Sequence, residues 1–203
     1  MKKIALAIVF LVISFNLVSA REIALHFNPL IGYGLSDFFT ERSHSQVQNE
    51  VAGTQVIRSV MGFGAHLGVS IQVTNRLYVI PEGGIIYGHQ SSKFVPTSSD
   101  VETTSTYSFF HIYTAGVNVN YEFCRLPNNW AFTAQSGLGY NYTTADASLG
   151  IDATGHLGWQ IGIGALHRNL GRTGLQAFVF YKTIFGDTQI AYLAGSVGIF
   201  YRL

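Results

Sequence analysis

Met61-Gly62-Phe63-Gly64-Ala65-His66-Leu67-Gly68-Val69-Ser70-Ile71-Gln72-Val73 carries an apolar residue at every odd position and Gly, Gly, His, Gly, Ser or Gln at every even one. A period of two belongs to a β-strand, because successive side chains leave opposite faces of the pleat. One face of this strand is oily and the other is small or polar. The run exceeds the usual strand of about 5–6 residues and suits a tilted strand crossing a bilayer, which needs about 9–11.

The same alternation returns in Leu157-Gly158-Trp159-Gln160-Ile161-Gly162-Ile163-Gly164-Ala165 and in Ala115-Gly116-Val117-Asn118-Val119-Asn120-Tyr121-Glu122-Phe123. In the latter, Asn118, Asn120 and Glu122 share one face, while Val117, Val119, Tyr121 and Phe123 share the other. A helix would scatter both sets around its circumference. The pattern predicts strands at 22–35, 56–73, 77–89, 107–123, 130–143, 153–167, 174–186 and 190–203. Short turns are expected at Thr74-Asn75-Arg76, Cys124 to Asn129 and Arg168 to Thr173, and a tight hairpin near Gly186-Asp187. Longer loops rich in Ser, Thr, Asp and Gln occupy 36–55, 90–106 and 144–152. An even number of strands, with short turns at one end and long loops at the other, predicts an all-β, eight-stranded antiparallel up-and-down transmembrane β-barrel.

Composition points the same way. Charged residues make up 11% of the 203-residue chain, against about 25% in an average globular domain, so something other than water is expected to cover part of the surface. The formal net charge of +1 offers no basic field for nucleic acid. Cys124, the one cysteine, has no internal disulfide partner.

Residues 1–20 read as a cleavable signal peptide: Lys2 and Lys3, an apolar stretch from Ile4 to Val18, and the small-residue site Val18-Ser19-Ala20. The mature barrel is then 21–203. The alternative, an uncleaved anchor, has a shorter apolar run than the ~20 residues a spanning helix needs. After residue 20 no stretch of ~18 apolar residues recurs, and a membrane protein without spanning helices must be a closed barrel to satisfy its backbone in lipid. On the apolar face, Tyr33, Tyr87, Tyr107, Tyr140 and Tyr142 fall near the loop end. Trp130, Tyr121, Phe123 and Tyr201 fall near the other, as aromatic girdles at two membrane interfaces would.

The chain ends Ser196-Val197-Gly198-Ile199-Phe200-Tyr201-Arg202-Leu203. Ser196, Gly198, Tyr201 and Leu203 match the C-terminal assembly signal of outer-membrane barrels, with Leu203 where many bacterial members have Phe. Together with the strand pattern, this makes the chain resemble the small eight-stranded outer-membrane proteins, the group of the OmpA barrel, OmpX and OmpW. The resemblance implies residence in the bacterial outer membrane, contact with its lipid, and recognition by the barrel-assembly machinery during biogenesis. A soluble up-and-down barrel would instead turn its apolar residues inward and a charged face outward.

Alternation directs His26, Asn28, His66, Gln72, Glu82, Asn118, Asn120, Glu122, Gln135, His156, Gln160, Gln176, Lys182 and Arg202 into the lumen. Buried charges need partners, and Glu82 and Glu122 are candidates to pair with Arg202 near the short-turn end, with Lys182 nearer the loops. Two readings of this interior stand side by side. Side chains fill an eight-stranded barrel, giving a plugged structural core. Alternatively, the inward glycines Gly62, Gly64, Gly68, Gly137, Gly139, Gly158, Gly162 and Gly164 leave room for a narrow solute conduit. His26, His66 and His156 stand alone on their strands, so no metal and no cofactor is expected. His89-Gln90-Ser91 is similar to the His-x-Ser pairing of outer-membrane lipid hydrolases, in which histidine activates serine. Ser92 follows where those families carry Asn, and the expectation is a chain without catalysis. The function expected is a surface-exposed structural or interaction protein, with loops 36–55 and 90–106 meeting an extracellular partner.

Overall fold

Strands form wherever apolar and small or polar residues alternate. In the computed structural model, which describes residues 22–36, 42–48, 51–97, 104–144, 154–186 and 190–203, they are β1 (Ile23–Gly34), β2 (Arg42–Gln48), β3 (Val51–Gln72), β4 (Leu77–Pro96), β5 (Thr104–Arg125), β6 (Trp130–Thr144), β7 (Thr154–Leu170), β8 (Thr173–Ile184) and β9 (Ile190–Arg202). All pairings are antiparallel, and β1 joins both β9 and β3. Eight strands therefore close on themselves, with β2 outside the ring. The proposed signal segment lies outside the described residues, as do parts of the loops and of the β8–β9 hairpin. No described helix is long and apolar enough to cross a membrane.

One hydrogen-bonded row measures the closure. Tyr33 opposes Leu193, then the row runs through Tyr181, Ile161, Ser136, Val119, Val79 and Ile71 and returns to β1 at Ile23, ten residues from Tyr33. This stagger tilts the strands against the barrel axis. The β7–β8 turn needs only Gly171-Arg172 between the paired Leu170 and Thr173. Gly171 takes a φ of 67°, the left-handed region such two-residue hairpins require.

Outward side chains are the apolar set read from the sequence. Phe63, Leu138, Leu157, Ile163 and Val197, from four different strands, are each 65–70% exposed. The nine aromatics assigned to the two girdles also point outward. Large exposed apolar surface is rare on soluble monomers; in lipid it costs nothing to expose.

The sequence reading ends the strands too early at the loop end. β3, β4 and β5 run on to Val51, Pro96 and Thr104, through stretches expected to be loop, and β2 adds a fourth strand within 36–55. The last β1–β3 pair is Ile31 with Phe63. Beyond it β3 continues for roughly 35 Å at ~3.3 Å per residue, held between β2 and β4. A bulge between Met61 and Gly64 marks the departure. Its extra residue inverts the face on which β3 side chains lie, so that Arg58 is outward and Ser59 is buried.

Candidate functional site

The lumen is layered. At the short-turn end the carboxylate of Glu122 is 0% exposed and receives two guanidinium groups. Arg125 Nε donates to Oε2 at 2.5 Å. Arg168 donates through Nη1 to Oε2 at 3.2 Å and through Nη2 to Oε1. Arg168 also donates to the Tyr78 hydroxyl at 2.8 Å. The sequence reading assigned both arginines to turns and so missed this cluster. Arg202, the partner expected for the two glutamates, donates instead to the carbonyls of Arg168 and Gly171 and ties the last strand to the β7–β8 turn.

The middle layer is polar. Glu82 lies 3.4 Å from His66 Nδ1 and accepts from Gln160 Nε2 at 3.3 Å. Gln160 also donates to Asn118 at 2.7 Å. His26 shares a hydrogen bond of 2.8 Å with Gln176, which in turn donates to Asn28. His26 stacks on Phe200 and His66 on Phe180. Lys182 reaches this layer from the loop side and lines a small cavity with Glu82, Asn118 and Gln160. His156 lies at the loop rim beside Gly186. Among the described residues no three His, Cys, Asp or Glu side chains converge as metal ligands do.

Toward the loops the lumen becomes apolar, which alternation did not reveal. Ile86, Phe110, Ile112, Ile184, Ile190 and Tyr192 are buried members of one cluster. β8 hides this in the sequence, because Phe178-Val179-Phe180-Tyr181 is apolar on both faces.

Gly137, Gly162 and Gly164 of the inward glycines read from the sequence, and Gly84 and Gly88 besides, are occupied by the side chain opposite, whereas Gly62, Gly64 and Gly139 lie mainly against backbone. Gly84 opposes His66, Gly88 opposes Phe110, Gly137 opposes Asn118, and Gly162 and Gly164 oppose Phe180 and Phe178. In each pair a Cβ on the glycine would collide with the side chain across from it. The missing side chains thus seat larger ones and do not open a pore. Three cavities within the lumen, among the described residues, measure about 20, 20 and 10 Å³. A larger concavity of about 710 Å³ lies on the outer wall among Ile31, Phe132, Ile163 and Val197. Its lining is mostly the apolar outward face, together with the buried Leu30, Phe178 and Ser196.

His89 and Ser91 share the outward face of β4. Two residues apart on an extended strand, their Cα atoms are roughly 7 Å apart. The Ser91 hydroxyl turns to the carbonyl of Arg58 at 3.5 Å. No nucleophile–base hydrogen bond joins the pair. Ser92 points to the other face and accepts from Gln55 Nε2 at 2.8 Å.

Above the barrel, β2 to β5 form a sheet whose outer face sets Arg58, Ser91 and Tyr107 in one row, with Lys93 beside Ser105 in the next and His89 beside Phe109 below. Tyr107 and Phe109 are 73% and 72% exposed. Among the described residues no acidic side chain shares that face. At the other end of the sequence signal, Ser196 and Gly198 face the lumen, while Tyr201 and Leu203 are exposed outside.

No protein-family model matches the sequence, and no curated protein matches it either. Solved structures do resemble the fold. Neisserial surface protein A (NspA) superposes with a TM-score of 0.57 at 13% identity, over 89% of this chain and 97% of that one. Ail, the attachment invasion locus protein of Yersinia pestis, crystallised with the heparin analogue sucrose octasulfate, gives 0.50 at 11% identity, over 90% and 98%. Strand number, closure and these likenesses agree: the fold is that of the small eight-stranded outer-membrane β-barrels.

Proposed function

We propose that this chain is a bacterial outer-membrane protein whose barrel anchors a surface-exposed interaction sheet. The short turns and both termini face the periplasm, the β2–β5 sheet stands outside the cell, and the C-terminal Ser196, Gly198, Tyr201 and Leu203 serve as the signal read by the assembly machinery. The observation that carries the reading is the continuation of β3, β4 and β5 past the closed ring, with β2 paired beside them. A barrel that only spanned lipid has no use for them. Exposed aromatics beside cations are the side-chain mixture enriched where proteins bind partners. Arg58 and Lys93 beside Tyr107 favour an anionic partner, and a sulfated glycan is the class best supported, since Ail was solved with a heparin analogue.

Intact cells producing the protein, incubated with labelled sulfated polysaccharide, test this. Binding above that of non-producing cells is expected, and so is its loss in an Arg58→Gln/Lys93→Gln variant that still folds. Equal binding by that variant would remove the anionic partner from the reading. No catalysis is assigned, and Ser91→Ala is expected to leave lipid turnover unchanged. The narrow-conduit reading predicts current steps from the unmodified protein in planar bilayers; the occupied glycine positions weigh against it.

A further inference from the structure

His26 Nε2, His66 Nε2, Asn118 Nδ2 and Asn120 Oδ1 are buried in the lumen and meet no partner among the described residues. Buried polar atoms in folded proteins are paired, and where protein supplies no partner, ordered water does. Space for water lies beside each of them. A cavity of about 20 Å³ at the short-turn mouth is lined by Glu22, His26, Tyr78, Asn120 and Arg168. A second, also about 20 Å³, is lined by His26, His66, Glu82 and Gln160. A third of about 10 Å³ touches Glu82, Asn118, Gln160 and Lys182. A single water needs roughly 10–15 Å³ measured this way, so each holds about one.

The three form a sequence. His26 lines the first and second, and Glu82 with Gln160 lines the second and third. Lys182 closes it; its side chain is buried, and it forms no ion pair among the described residues. An ammonium group is costly to bury without polar partners, and water in the third cavity would supply them. Beyond Lys182 the lumen is shut by Ile86, Phe110, Ile112, Ile184, Ile190 and Tyr192. Ile86 and Ile112 oppose each other on adjacent strands, both 0% exposed.

We infer that the lumen is a binding site for a single file of ordered water, entered from the short-turn end and stopped by an apolar plug at the loop end. The file hydrates the internal charges; the plug seals the membrane. The inference concerns the lumen and is independent of what the external sheet binds.

The test is planar-bilayer conductance of the purified protein, with its folding verified by a heat-dependent shift on a detergent gel. The native protein is expected to be silent. Ile86→Ser/Ile112→Ser is expected to open resolvable steps by extending the file through the plug, and Asn118→Leu added to it is expected to return the current to background by interrupting the file. Where the double plug variant shows no heat shift, Ile112→Ser alone is read. Current through the native protein, silence from a folded plug variant, or steps that survive Asn118→Leu would each overturn the inference.

Discussion

Arg168, near the short-turn end of β7, grips both carboxylate oxygens of the fully buried Glu122 on β5, reaching across the intervening strand β6. Two-point guanidinium–carboxylate contacts are among the stronger hydrogen-bonded pairs. They bind three strands together at the end of the barrel where the turns are shortest. Removing one member strands a buried charge, which typically costs about 3–5 kcal/mol. Arg125 still holds Oε2 at 2.5 Å, so Arg168→Met should fall at the low end, about 3 kcal/mol. Urea titration of the protein in lipid vesicles measures it. Glu122→Gln/Arg168→Met should lose less than the two single changes added together, because both remove the same interaction.

The glycine seats predict opposite outcomes for one chemical change. A Cβ on Gly137 would overlap the Asn118 amide and the Val117 carbonyl, whereas one on Gly195 meets nothing within 4 Å. Gly137→Ala should therefore destabilise by about 1–3 kcal/mol, as overpacking does. Gly195→Ala should be neutral or stabilise by a few tenths to about 1 kcal/mol, since it reduces chain freedom without strain. The same urea titration separates them, and equal losses would show that the glycines do not act as seats.

Where one face of a strand is the exposed outer wall and the other turns into a narrow lumen, alternation is a direct record of the fold. Phe63, Leu67, Ile161 and Ile163 stand on that outer wall, and their neighbours are small or polar because the lumen is narrow. Past the closed ring that constraint lapses. Residues 90–96 are strand, but Gln90-Ser91-Ser92-Lys93 is a run of polar residues with no two-residue hydrophobic rhythm. They therefore read as loop. The ion cluster was hidden differently. Arg168 continues the inward series Gln160, Gly162, Gly164, Leu166, yet the polar run His167-Arg168-Asn169 ahead of Gly171 reads as a turn. The phase of the series was the available signal. Which arginine reaches Glu122 depends on strand stagger, and no single strand encodes that.

The bulge in β3 gives a test of the external sheet apart from the barrel. It flips the side-chain phase above Gly64, so that Ser59 is buried and Arg58 faces out. Deleting Gly62 removes the extra residue and leaves β3 a regular strand in which Met61 still opposes Gly88 and Gly64 still opposes Ile86, so Arg58 should stay outward and the Gln55–Ser92 bond should persist. Resistance of the sheet to protease within 42–61 should then be unchanged, and the heat shift of the barrel should persist. New cleavage within 42–61 in the deletion variant would mean that the strand above the bulge slips in register, and that the bulge does more than absorb one residue.

Ile161 carries the membrane reading itself. It lies near the middle of β7, in the row that joins Tyr181 to Ser136, and its side chain is outward and exposed. Arginine at the bilayer midplane of a β-barrel costs about 2–4 kcal/mol, falling to about 0–1 near the interfaces. Ile161→Arg should show the larger cost. Leu175→Arg, outward on β8 two residues from the start of that strand, should show the smaller one. The comparison matters more than either value, because loss of apolar packing alone predicts similar costs at both sites. A depth-dependent difference requires lipid around the barrel; two equal penalties would mean that this apolar face is covered by something other than a bilayer.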